Sequence, residues 1–403
     1  MSQKYPGGLI RKTPPTTVGP VDGEGGSAPG IWTLTQALEL NKQGLWPKPP
    51  VQGELYAWGV NGVGQLALND TVNRSSPSQI GSLNTWASTS SGENHSIFIK
   101  ADGTLWASGE NNYGQLGLND TVNRSSPVQV GALTTWTNAA STRRSVSAIK
   151  QDGTLWSWGR NNYGQLGQNN TTYRSSPVQV GALTTWASVS GGNYFCVAIK
   201  KDGTLWSWGY NGEGSLGLNN TANRSSPVQV GALTNWKQSS LGRDHCVAVK
   251  TDNTLWSWGS NINGRLGLND TVRRSSPVQV GTLTTWSKTS AGSNHSLAIN
   301  NNGALWSWGA NYFGQLGLNY ITDLSSPVQV GALTNWVLIL GGAYFSASIK
   351  QDGTLWSWGR NASGRLGQND TTNRSSPVQI GSSTTWLRLG TGSMCGFAVA
   401  IKS

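Results

Sequence analysis

Few side chains in this 403-residue chain could do chemistry: three histidines, three cysteines and 18 carboxylates. His95, His245 and His295 recur at one position of a 50-residue period, where Phe195 and Phe345 stand in other copies. A metal needs ligands converging within a few ångströms, whereas equivalent positions of successive repeats are spread apart, so structural histidines are expected. Cys196, Cys246 and Cys395 cannot pair completely and none lies in a CxxC or CxxCH context, so they read as small core residues. No Ser/His/Asp grouping, HExxH or GxxxxGK[ST] run occurs. The carboxylates recur mostly in turns such as Gln151-Asp152-Gly153. The expectation is a chain that is not an enzyme, with no catalytic residue, metal or cofactor.

What varies is a set of Tyr and Arg positions. Residues 153–167, GTLWSWGRNNYGQLG, and 353–367, GTLWSWGRNASGRLG, differ at Asn162-Tyr163 against Ala362-Ser363 and at Gln165 against Arg365. After WG, or SG in the second copy, the copies read VNGVG, ENNYG, RNNYG, YNGEG, SNING, ANYFG and RNASG. A second varied position carries Glu93, Arg143 and Arg144, Tyr194, Arg243 and Asp244, Tyr344 or Met394. Tyr and Arg dominate binding hot spots because they offer large contact area or planar charged hydrogen bonding. The candidate protein-binding residues are therefore Tyr113, Arg143, Arg144, Arg160, Tyr163, Tyr194 and Tyr210, with Arg243, Tyr312, Phe313, Tyr344 and Arg360 farther along. Drift after duplication is the alternative, but drift should also touch the other, nearly invariant set of turns. In the sixth copy, Asn319-Tyr320-Ile321-Thr322-Asp323-Leu324 replaces NDTVNR, and a later run reads Val337-Leu338-Ile339-Leu340. Tyr320, Ile321 and Leu324 are expected to form an asymmetric docking patch.

The elements that position these residues follow from the period. Aligned on LWSWG, seven units span 53–102, 103–152, 153–202, 203–252, 253–302, 303–352 and 353–402, the last gaining two residues near Cys395. Each holds four short strand-like runs, as in TLWSWG, SSPVQV, the run beginning TTW, and FCVAIK, separated by Gly, Asn and Asp turns. Four strands per repeat, seven times, predicts an all-β, seven-bladed β-propeller, closure removing exposed sheet edges. The repeats begin at the third strand of a blade, so Leu55 to Ile80 should complete a blade begun by Trp386 to Lys402. Nineteen of the 21 tryptophans fall at three repeat positions and read as core. If strands alternate up and down, the varied turns share one face, and the KxDG turn and GALTTW connection the other.

The formal charge is +11, yet charged residues are only 12% and no run of Lys or Arg reaches five, so no specific nucleic-acid partner is expected. Arg74, Arg124, Arg174, Arg224, Arg274 and Arg374 make one ring of charge, and Lys100, Lys150, Lys200, Lys250, Lys350 and Lys402 another. Both are expected to be solvated and partly self-compensated, with Asp70, Asp120, Asp270 and Asp370 four residues before their Arg. No window approaches eighteen apolar residues, and the N-terminus lacks the apolar run of a secretory signal, so neither membrane insertion nor Sec export is expected.

Residues 1–52 differ in character. Eight of the 15 prolines lie before Gly53, and VGPVDGEGGSAPG reads as an extended arm. Residues 33–43 can form a short helix with Thr33 as N-cap, Gln36 three residues on, and Gly44 and Pro47 at its end. Trp32, Leu34, Leu38 and Trp46 are the expected anchor, packed on the propeller or on a larger assembly.

The run WG.N..GQLG, the Pro of the outer strand and the G..H element of SGENHS and AGSNHS resemble the regulator of chromosome condensation repeat family, over residues 53–402. That resemblance implies the propeller and leaves function open, because the family serves nucleotide exchange, ultraviolet sensing and β-lactamase inhibition alike. APGIWTLTQALELNKQGLWP, residues 28–47, is similar to an element of bacteriophage tail and other virion proteins. Together they imply a phage structural protein of the tail, fibre or capsid-decoration type, located in the virion. Its arm would meet other virion proteins, and its propeller a host-surface receptor or glycan, as part of an oligomer in the particle. The first alternative is a protein-binding propeller of the bacterial cytoplasm or surface, similar to the β-lactamase inhibitor. A guanine nucleotide exchange factor comes third, since the units carry neither a wedge-like insertion nor a long basic tail.

Overall fold

Apolar runs that alternate with small residues, cut every five or six positions by turn residues, leave the chain little choice but short antiparallel strands. The computed structural model describes residues 52–403, together with two paired two-residue strands, Lys4–Tyr5 and Gly8–Leu9. The expected helix at 33–43 and the anchor residues Trp32, Leu34, Leu38 and Trp46 lie outside the described residues. Gln52–Ser403 forms one compact unit, separate from Met1–Val51.

Within that unit lie seven four-stranded sheets, the blades. In a typical blade Trp186–Gly191, Phe195–Lys200, Leu205–Gly209 and Arg224–Gln229 pair antiparallel in chain order. The second strand is buried throughout, the third buries Leu205, Ser207 and Trp208, and the fourth is half-buried along its length. The seventh blade joins Trp386–Leu389 and Phe397–Lys402 to Glu54–Gly59 and Arg74–Gln79, with Leu55 opposite Ile401 and Gly59 opposite Phe397. The two ends of the repeat region thus share one sheet, as the repeat phase predicts, and each 50-residue unit is divided between two neighbouring blades.

Tryptophan links the blades. Trp158 Nε1 donates to the Gln115 carbonyl of the preceding blade at 3.0 Å, and Trp58 donates to Arg365 at 3.0 Å, which closes the ring. A glycine makes room: a Cβ on Gly117 would lie 2.8 Å from Trp158 Nε1, and Gly117 also has φ +74°, a left-handed conformation that disfavours side chains. One junction departs from this rule. Ser108 replaces the tryptophan, Ala67 replaces the facing glycine, and Phe98 stands where most blades have alanine. Phe98 packs against Trp86 at 5.6 Å, and Ala67, Trp86 and Phe98 share one core cluster. Two substitutions, Ala67 and Phe98, refill the volume left by the missing indole.

The lysine ring corrects the sequence reading. Lys150, Lys200, Lys250 and Lys350 are buried, their ammonium groups 3.4 to 3.6 Å from the ring centres of Trp156, Trp206, Trp256 and Trp356 and 4.8 to 5.1 Å from Trp136, Trp186, Trp236 and Trp336. Burial lowers the pKa of each, opposed by a nearby Asp. These lysines are cation–π cross-braces, not a solvated ring. Arg74, Arg124, Arg274 and Arg374 do pair with Asp70, Asp120, Asp270 and Asp370, as their spacing predicts.

Candidate protein-binding face

Each inner turn, between strands one and two, is tied to the long loop between strands three and four. The Arg160 amide donates to Arg144 at 3.0 Å, Tyr210 to Tyr194 at 2.9 Å and Arg360 to Tyr344 at 2.9 Å. The varied segments therefore lie at one end of every blade. The KxDG turns and the outer connections meet at the other end, for example through Gln151 donating to Thr135 at 2.8 Å.

The varied face rests on a fixed frame. In each long loop a buried Asn holds the chain: Asn111 Oδ1 accepts from the Leu116 amide at 2.9 Å, and its Nδ2 donates to Asp120 at 2.8 Å. Successive inner turns are joined by backbone bonds, from Glu93 to Arg143 at 3.1 Å, Asn193 to Arg243 at 3.3 Å, Arg243 to Ser293 at 3.1 Å and Ala343 to Cys395 at 3.0 Å. Ser293 Oγ also reaches past one blade to the Ser393 carbonyl at 2.8 Å. Side chains on such a frame are pre-organised for contact.

Two aromatic–arginine groups emerge from the candidates. In the larger, Arg143 makes a bidentate pair with Glu93 at 2.7 and 2.8 Å and also donates to Tyr194 Oη at 2.8 Å. Arg144 donates to Glu93 at 3.3 Å and to Tyr113 Oη at 3.1 Å. Burial pushes the Glu93 carboxyl up, but hydrogen bonding and charge from Arg143, with Arg144 behind, hold it below its ordinary value. Arg160 lies between two rings, 5.1 Å from Tyr113 and 5.2 Å from Tyr194. Tyr163 packs against Tyr194 at 5.2 Å and Tyr210 at 5.1 Å. The smaller group places Arg360 at 5.0 Å from Phe313 and 5.6 Å from Tyr344.

Other candidates stand apart. Arg243 pairs with its neighbour Asp244 at 3.4 Å, and burial raises the Asp244 pKa against the pull of Arg243 and Arg265. Tyr312 is about half exposed, 49%, and its pKa is raised by the partial loss of solvent around its ring and by Asp323. Tyr320 and Ile321 are 42% and 63% exposed, while Leu324 is half-buried at the start of its strand, opposite Gly309. They replace the Asp–Arg pair of other loops with apolar surface, and Val337–Leu340 belongs to the next blade.

Sequence reasoning missed three contributors. Tyr173, exposed, packs against Tyr113 at 5.7 Å from the far end of the next long loop. Arg265 and Arg365 lie buried beneath the face at a position held by Gln in four other copies. The visible signal was the Gln165 to Arg365 exchange between near-identical stretches.

Seven four-stranded blades, closed by strands from both ends and crossed by repeated Trp and Gly, define a repeat propeller. The RCC1-like domain profile matches residues 148–402, and that of the regulator of chromosome condensation (RCC1) repeat matches residues 52–99 and 102–149. The chain belongs to the RCC1-like propeller family. No curated protein matches the chain. Among solved structures it is similar to human WBSCR16, with a TM-score of 0.78 and 19% identity over 87% of this chain and 100% of that one. It is also similar to yeast RCC1 (Prp20) bound to Kap60, with a TM-score of 0.77 and 20% identity over 88% of this chain and 90% of the other. A second structure of Saccharomyces cerevisiae Prp20p, described with its binding properties to Gsp1p and histones, has a TM-score of 0.77, 20% identity, and coverage of 88% and 92%. At these identities the likeness is one of fold.

Proposed function

We propose that this chain is a non-enzymatic protein-binding propeller that docks a partner through its varied face. The observation that carries this reading is Arg160, braced between Tyr113 and Tyr194 on a frame of hydrogen-bonded turns. Aromatic and arginine side chains held this way lose little entropy on binding, the usual property of a hot spot. The setting we favour is a phage particle, with residues 1–52 attaching the propeller for decoration, adhesion or host recognition. The resemblance of residues 28–47 to virion-protein elements supports it. The test is direct: the chain should be recovered from purified particles of the encoding phage, and deletion of residues 1–52 should abolish recovery while the propeller stays folded. Its absence from such particles would sink the setting. Arg160→Ala with Tyr194→Ala should weaken partner or host-cell binding by about 2 kcal/mol or more, whereas Gln151→Ala on the opposite face should change nothing. Equal losses from both faces would overturn the docking surface.

A further inference from the structure

Arg365 is 6% exposed, and its Nε is buried without a hydrogen-bond partner. At the same position Gln65, Gln115, Gln165 and Gln315 each accept from the backbone amide two residues earlier, at 2.9 to 3.0 Å. Arg265, the other arginine of this position, donates from Nε to the Ile262 carbonyl at 2.8 Å and lies in the field of Asp244 and Glu213. The inner turn that places Asp244 beside Arg265 places Tyr344 beside Arg365. Burial pushes the Arg365 pKa down to about 10, and the next cause is a second cation, Arg360. The Cys395 thiol nearby has its own pKa pushed up to about 12 by burial, so it is no counter-ion at neutral pH. The ion pairs among the described residues all involve other arginines.

The covering side chain is missing as well. Where the other six blades carry Asn94, Arg144, Tyr194, Asp244, Asn294 or Tyr344, the seventh carries Gly396. A Cβ there would lie 3.3 Å from Val60 and 3.9 Å from the Arg365 guanidinium carbon. A buried guanidinium without an anion is strongly disfavoured, and here it coincides with the charge of a second arginine and with a glycine where the other blades carry a side chain.

We propose that Arg365 and Arg360, under Gly396, form an oxyanion-binding site that takes a carboxylate or phosphate group. Guanidinium groups match both by paired N–H donors. The site deepens the docking reading of this face without depending on it, since free phosphate binding to the isolated chain reports on the site whether or not a partner docks.

The experiment is calorimetric titration of the full chain, at constant low ionic strength, with inorganic phosphate and with a short glutamate-rich peptide. Arg365→Gln should weaken binding at least tenfold, Arg265→Gln should leave it unchanged, and Gly396→Asn, which keeps both arginines but restores a cover, should also weaken it at least tenfold. In oxyanion-free buffer Arg365→Gln should melt higher than the parent chain, because it removes an uncompensated charge and restores the loop bond. Tighter binding of phosphate assigns the site to free oxyanions, and tighter binding of peptide assigns it to a partner's acidic side chain. No binding by the parent chain, equal affinities in parent and Arg365→Gln, or full binding by Gly396→Asn would overturn the proposal.

Discussion

A histidine sealed in a core is an aromatic spacer until acid reaches it. His95 has neither ring nitrogen partnered, while His245 and His295 share Nε2 with Ser296 and Ser346 at 3.0 and 2.9 Å. Burial lowers the pKa of His95 and His295 to about 3, and that of His245 well below its ordinary value. Above pH 6.5 folded and unfolded chains alike hold these rings neutral. As pH falls below 6.5 the unfolded chain takes up protons that the folded chain refuses, so stability drops by about 1.4 kcal/mol per pH unit for each histidine. His95→Phe, copying Phe195 and Phe345, should remove about a third of the stability loss between pH 6.5 and 5, measured by denaturant unfolding. An unchanged slope would contradict the assignment. The structural role of these histidines was legible in the sequence because phenylalanine fills the same position. The burial of Arg365 was not, since a lone arginine in a Gly/Asn loop reads as surface.

At the scale of elements, strands and turns were legible because their pattern repeats seven times. The lysine braces were not, because the two indoles that enclose each ammonium lie twenty residues apart in sequence order, on the first and third strands of a blade. The same blade-to-blade packing yields a test. Ser108→Trp alone should cost about 1–3 kcal/mol by crowding Ala67 and Phe98. Adding Ala67→Gly and Phe98→Ala should recover most of that loss, since the junction then matches five of its six counterparts. A triple variant no more stable than Ser108→Trp would mean that the three positions are not coupled, and a thermodynamic cycle over the set measures this.

For the whole molecule, closure joins what the chain order separates. Phe397, Val399 and Ile401 are buried against the strand from Leu55 to Gly59, and a Cβ on Gly53 would press on Lys402. Loss of residues 386–403 should therefore unfold the propeller rather than trim it, leaving the Glu54–Gly59 edge unpaired and prone to aggregation. Linking Ser403 to Gln52 and opening the exposed connection at 231–234 should instead give a folded permutant with one cooperative transition, and a permutant that fails to fold would show that chain order matters beyond closure. The repeat phase made this closure legible in advance. The grouping of Tyr113, Arg160 and Tyr194 was legible only as a face, because which rings meet depends on the rotation between neighbouring blades.

The half-blade phase of the repeats also bears on heredity. A crossover between two near-identical copies adds or removes fifty residues, and each product splices the second half of one blade to the first half of the next in the same register. A crossover within the five inner units leaves the sheet built from both ends uncut. A gene of this form can gain, lose or shuffle varied segments by such misaligned recombination while each product keeps its clasp, so the Tyr and Arg positions can be re-dealt without rebuilding the closure.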